Sequence, residues 1–248
     1  MRLFYLLAVL GASLIAAAAT SLAGVSAVPK AWSAWVAVPS AWAGSAGIGL
    51  AIAYLVAAGE REPGRFFLGE ARLGRIVWRF ILVPYLGAAI PLVIVSRLVS
   101  RERLFDRVAD RLYVGGAPLF WNQAAVLAGG IDTVLNLCVE FGDFSGLATT
   151  GRVAYRREGW LDGTAPTLGQ YQQAVEWIVE QHRSGRTILV HCAQGHGRSA
   201  LAAAGAMLAL GLVPSPDEAA RVLRAGRPTI RLHGEQRRLL DRWWSARS

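Results

Sequence analysis

The hydropathy pattern divides the chain in two. Leu3 to Val28 is apolar apart from serine and threonine, and it is long enough to cross a bilayer. Pro29 and Lys30 interrupt it, and a second apolar run extends from Ala31 to Ala58, with Trp32, Trp35 and Trp42 towards one end. Tryptophan favours the membrane–water boundary, so this placement fits a span. The short connection predicts a helical hairpin. A third run, Ile76 to Val95, is apolar except for Arg79 but contains Pro84 and Pro91. It fits either a kinked span or a segment lying in the interface. The first run also shares features with a signal peptide, but it is longer than the apolar core such peptides carry.

Beyond residue 100 the pattern becomes that of an ordinary globular domain. "RLYVGGAP" (111–118) predicts a strand ending in a glycine turn, and Leu119 to Ala128 predicts a helix closed by Gly129 and Gly130. "IDTVLNLCVE" (131–140) has the content of a buried strand, and "RVAYRRE" (152–158) predicts another. "WLDGTAP" (160–166) predicts a loop, because Gly and Pro break regular structure. Thr167 and Gln170 form a capping box that opens a helix running to about Gly185. "TILV" (187–190) predicts a short central strand, and an Ala-rich helix covers 199–210. Ser215 and Pro216 start a further helix, and a last one runs from Gly234 to Trp244. This alternation predicts an α/β fold with a mostly parallel central sheet flanked by helices, preceded by a transmembrane helical region. The expected domains are a membrane region of two or three helices over 1–100 and a catalytic domain over 101–248.

Composition sharpens this picture. The 248 residues are 54% hydrophobic with mean hydropathy +0.36, and the excess lies in the first hundred. Net charge is +9, and every basic residue except Lys30 is arginine. Much of the excess flanks the apolar runs: Arg61, Arg65, Arg72 and Arg75 precede the third, and Arg97, Arg101, Arg103, Arg107 and Arg111 follow it. Anionic membrane lipid is the economical partner for such flanks, and the sequence shows no nucleic-acid-binding module. The positive-inside rule draws both clusters to the cytoplasm, which two spans plus an in-plane segment satisfy. Hydropathy alone favours three spans. Two cysteines, Cys138 and Cys192, do not make a disulfide scaffold and fit a reducing compartment. The expected setting is a multi-pass membrane protein with a cytoplasmic catalytic domain.

The candidate chemistry lies in "ILVHCAQGHGRSA" (188–200). Cys192 stands at the carboxyl end of a strand, where α/β sheets bind ligands. Ala193, Gln194, Gly195, His196 and Gly197 then turn the chain into a helix N-terminus, a backbone arrangement that holds anions. Arg198 offers a planar fork to phosphate oxygens. The same surroundings lower a thiol's pKa, so one loop both binds a phosphoryl group and aims a thiolate at it. Asp162 is the candidate general acid, thirty residues upstream. Ser199 is placed to hydrogen-bond the sulfur, and His191 to fix the loop backbone. The histidines show no metal-ligand spacing, and neither a metal nor another cofactor is expected.

"HCAQGHGRS" resembles the Cys-x5-Arg-Ser/Thr signature of the cysteine-based protein tyrosine and dual-specificity phosphatases. The Asp162 loop, the "LYVGGA" strand and the tail residues Arg227, Pro228 and Gln236 resemble the same family at matching positions, over about residues 105–245. The resemblance implies metal-independent hydrolysis of phosphate monoesters in a compact domain with a shallow site. "NLCVE" (136–140) resembles the matching strand of the phosphatase and tensin homologue branch, which implies that Cys138 can pair with the nucleophile as a redox partner. That branch carries two loop lysines where this chain has Ala193 and His196. The substrate is therefore left open between a phosphorylated lipid and a phosphorylated protein. A catalytically inactive phosphate-binding module is the alternative of another class.

Overall fold

The computed structural model describes residues 2–23, 30–58, 83–84, 87, 90–97, 99, 101–232 and 234–247. It forms two compact units, Met1–Val95 and Ser96–Ser248.

In the first unit, α1 (Arg2–Leu22) packs against α2 (Lys30–Ala58). Glycine allows the approach: a Cβ on Gly11 would lie 2.8 Å from the Gly44 carbonyl, and one on Gly44 would lie 2.7 Å from that of Gly11. Buried Ala18, Ala37, Ala46 and Ala51 continue the small-residue seam, as apolar helices need when packing alone joins them. The hydroxyls of Thr20 and Ser45 bond back to the carbonyls of Ala17 and Ala41. Val9, Leu10, Trp35, Val38 and Leu55 point outward, so the outer faces of both helices are apolar. Among the described residues one stretch, Trp35–Ile52, is long and apolar enough to cross a membrane, and Val9–Ser21 is a shorter apolar one. Most of the third run lies outside the described residues; positions 90–97 are helical.

The second unit carries a five-stranded sheet in the order β1-β2-β5-β3-β4. Its strands are β1 (Phe105–Ala109), β2 (Leu112–Gly116), β3 (Thr133–Cys138), β4 (Ala154–Trp160) and β5 (Ile188–Cys192). Only the β1–β2 pair is antiparallel. β1 is absent from the sequence-based reading: "FDRVA" has no regular alternation of apolar and charged residues, only Val108 of it is buried, and its neighbours read as an arginine flank. β3 and β5 are buried at every position, as central parallel strands are when helices cover both faces.

The helices are α3 (Gln123–Ala128), α4 (Leu168–Arg183), α5 (Arg198–Ala209), α6 (Pro216–Gly226) and α7 (Gly234–Ser245). The expected first helix is shorter than predicted, because a 3-10 turn occupies Phe120–Asn122. The Thr167–Gln170 capping box forms in full, and Ser215 caps α6 through the Glu218 amide. Small side chains let α5 run through the middle of the domain, buried from Arg198 to Leu208. His182 is buried, with Nε2 2.9 Å from the Asp110 carbonyl oxygen.

Candidate active site

The parallel register sets the site. Gly116 of β2 lies beside Cys192 of β5, and Asn136 of β3 lies beside His191. The carboxyl ends of three strands thus meet where the chain leaves β5 and enters α5.

Cys192 Sγ receives the Gly195 N–H at 3.3 Å and lies 3.4 Å from the Ser199 hydroxyl. Burial opposes ionisation of this thiol, but the Arg198 charge and the Ser199 hydrogen bond outweigh it, and its pKa falls below the ordinary value. Gly195 has φ +84°, and a Cβ there would meet the Gly115 backbone at 2.4 Å, so only glycine fits. Gly197 has an ordinary φ of −117° and caps α5 without needing that freedom.

The loop's carbonyls are held from outside. Arg97 donates to the Ala193 carbonyl, the buried Arg227 to the Gln194 carbonyl, and the Arg231 amide to the His196 carbonyl. A planar trans peptide points its C=O and the next N–H in opposite directions. The amides of Gln194, Gly195 and Gly197 are thereby turned to the other side. For Gly195 that side is the sulfur.

Arg198 is fully buried. Its Nη1 donates to Glu140 Oε2 and to the Trp160 carbonyl, both at 2.9 Å, and its Nη2 donates to Glu140 Oε1 at 2.5 Å. Asp162 Oδ1 lies 3.1 Å from the same Nη2. Among the described residues Nε has no hydrogen-bond partner, so a phosphoryl group can take Nε, and Nη2 on displacing Asp162. Asp162 is 66% exposed, and Gln236 steadies its loop by donating to the Thr164 carbonyl at 3.1 Å.

The structure thus brings Cys192, Ser199, Arg198 and Asp162 together around the 193–197 loop. His196 pairs with Glu102: its Nε2 lies 2.7 Å from Glu102 Oε2, and that oxygen also accepts from Arg227 at 2.8 Å. Burial drives the His191 imidazole down to about 3, opposed by a hydrogen bond at the Cys192 backbone, so the ring is neutral and unsuited to proton transfer. Cys138 is fully buried and, like Cys192, a free thiol; burial first, and the Glu140 charge second, push it well above the ordinary value.

Four residues escape the sequence reading as contributors here. Glu140 sits within "NLCVE" without an assigned role, Arg97 and Glu102 look like membrane flank, and Arg227 is noticed only as part of a tail. The legible signal for Glu140 is an acid two residues after a buried, mostly apolar strand whose carboxyl end faces the site.

No family model matches the chain, and no curated protein matches it in sequence. Solved structures do. PTPMT1 in complex with PI(5)P is similar at 21% identity and a TM-score of 0.53, over 58% of this chain and 96% of that one. Tk-PTP in its active form gives 24% and 0.52, over 57% and 97%. Human DUSP28 gives 19% and 0.51, over 58% and 95%. The sheet-bearing unit has the dual-specificity-phosphatase fold. In this dual-specificity-phosphatase fold the strand-to-helix turn after the central strand carries Cys192, and the loop after β4 carries Asp162. The likeness is one of fold; the chemistry rests on this chain's own residues.

Proposed function

We propose that this chain is a membrane-anchored, cysteine-dependent phosphatase that hydrolyses phosphate monoesters through a phosphocysteine intermediate, with a phospholipid phosphate as substrate. The observation that carries the reading is the constellation at the end of β5: a buried thiol with a lowered pKa, an amide and a hydroxyl on its sulfur, and a guanidinium whose Nε has no partner among the described residues.

The steps follow from that geometry. The phosphoryl oxygens take the Gln194, Gly195 and Gly197 amides and the Nε–Nη2 edge of Arg198. The Cys192 thiolate attacks phosphorus, the bond to the leaving oxygen breaks, and protonated Asp162 gives that oxygen its proton. A water then attacks the phosphocysteine, passing a proton to the Asp162 carboxylate as the phosphorus–sulfur bond breaks. The Ser199 hydroxyl hydrogen-bonds the departing thiolate. The His191 ring stays neutral and takes no part in proton transfer.

Two observations favour a lipid substrate and a membrane setting. The N-terminal unit has apolar outer faces, and its Trp35–Ile52 stretch is long enough to span. Phe120 and Trp121, stacked edge to face at 4.6 Å, are 75% and 52% exposed just past Ala117, whose amide bonds the catalytic loop. Exposed aromatics beside a site mark a surface for a partner, and tryptophan suits the membrane boundary. PTPMT1, of the same fold, has been crystallised with PI(5)P. We place the catalytic unit in the cytoplasm, on a multi-pass anchor whose arginine flanks meet anionic lipid.

A panel of phospholipid monophosphates and phosphopeptides, tested on detergent-purified full-length protein without added metal, decides the substrate. Lipid turnover well above peptide turnover is expected. Preferential turnover of phosphotyrosine or phosphoserine peptides would make the chain a protein phosphatase, and phosphate binding without turnover would make it a binding module.

A further inference from the structure

We infer that Arg97 is a positioning residue for the catalytic loop, and that through it the segment leaving the third apolar run governs phosphate binding at Cys192. The inference rests on the phosphatase reading above and adds a control point to it.

Arg97 stands two residues after Val95, the last residue of that run. In sequence it is one more arginine in a membrane flank. In the structure its side chain is half-buried, with Nη2 2.7 Å from the Ala193 carbonyl oxygen and Nη1 3.0 Å from that of Ala117. Ala193 is the first residue after the nucleophile. Holding its carbonyl outward sets the plane of the 193–194 peptide and so aims the Gln194 amide at the phosphate cradle. The Ala117 amide reaches the same carbonyl at 3.1 Å, so two strands' ends and the Arg97 side chain converge on one peptide.

Room for the guanidinium comes from Gly116, the register partner of Cys192. A Cβ there would lie 2.2 Å from Arg97 Nη2. Neighbouring residues strengthen the link. The Gln194 side chain reaches Ser96 Oγ at 3.5 Å, and Glu102 holds both His196 and Arg227. Ser96, Arg97 and Glu102 therefore grip loop residues 194, 193 and 196 from outside. Arg97 also adds positive charge near the thiolate: burial and the Arg227 charge lower its pKa, while the charge of Cys192 raises it. A shift of the tether end is thus transmitted to an amide that binds phosphate, with no contact between Arg97 and substrate.

The test uses full-length protein in detergent, with inorganic phosphate and orthovanadate as probes and iodoacetamide alkylation of Cys192 followed against pH. Arg97→Ala is expected to weaken phosphate and vanadate binding about tenfold, the scale of lost hydrogen bonds to a charged group, and to move the alkylation profile to higher pH. Arg97→Lys keeps one of the two bonds and should fall between. If Arg97→Ala does not fold, Arg97→Lys carries the same prediction in weaker form. Gly116→Ala should weaken binding strongly in the native background and little in Arg97→Ala, because the clash it makes is with the guanidinium. Unchanged anion binding and an unchanged alkylation profile in Arg97→Lys and Arg97→Ala overturn the inference, as does a Gly116→Ala effect that adds in full. A native protein whose Cys192 neither binds these anions nor alkylates below the ordinary thiol range would instead overturn the phosphatase reading.

Discussion

Glu140 and Arg198 form a buried two-point pair, carboxylate to guanidinium, with the acid 6% exposed and the base fully enclosed. Between them they fix which edge of the guanidinium faces the site. Removing one partner of such a pair strands the other charge, at a cost of about 3–5 kcal/mol. Glu140→Ala should therefore destabilise the sheet-bearing unit by about that amount in chemical denaturation. A loss under about 1 kcal/mol, the scale of an exposed ion pair, would show that the pair does not anchor the site.

Asp162 is exposed but lies 3.1 Å from Arg198, on the edge that a phosphoryl group would take. In the proposed role of general acid it would matter most for poor leaving groups. Asp162→Asn should cut kcat on an alkyl phosphate by about 10²–10⁴-fold and on an aryl phosphate with an acidic phenol far less. Equal losses on both substrates would remove Asp162 from that role.

His191 gives the fold a dependence on pH. Its folded pKa is about 3 against an ordinary 6.5, because it is buried. The unfolded chain takes up the proton below 6.5 and the folded chain refuses it. The stabilising contribution is thus complete above 6.5 and is lost as pH falls towards 3, by up to about 1.4 kcal/mol per pH unit. His191→Gln should flatten the acid side of the stability curve measured by thermal melting. An unchanged slope between pH 6.5 and 5 would contradict the burial argument.

Cys138 lies at the end of β3, next to β5, and both cysteines are free. Its thiol is held protonated by burial, whereas that of Cys192 is shifted towards the thiolate, so peroxide should oxidise Cys192 first and Cys138 should then capture it. Mass spectrometry after mild peroxide should find a Cys138–Cys192 disulfide reversible with dithiothreitol. Direct passage of Cys192 to sulfinic acid with Cys138 still free would refute the pairing.

What the sequence made legible was local. The Thr167 and Ser215 caps, the Cys192–Arg198 turn and the Asp162 loop are each written in a few adjacent residues, and the structure forms them. What it hid depends on distant partners. Arg97 and Glu102 carry the same charges as a solvated flank, and nothing nearby in the chain shows that they reach residues 193 and 196. Glu140 becomes a partner of Arg198 only when β3 is laid beside β5. β1 has too mixed a pattern to be told from the arginine-rich stretch around it, because an edge strand buries little.

The most direct test of the phosphocysteine account is Cys192→Ser, assayed for turnover and for vanadate binding on the same preparation. The substitution leaves Arg198 and the loop amides in place but puts a hydroxyl, protonated at neutral pH, where the thiolate stood. The account predicts that kcat falls below about 1% of the native value, the scale of a lost nucleophile, while vanadate binding remains measurable. Substantial turnover by Cys192→Ser would contradict it.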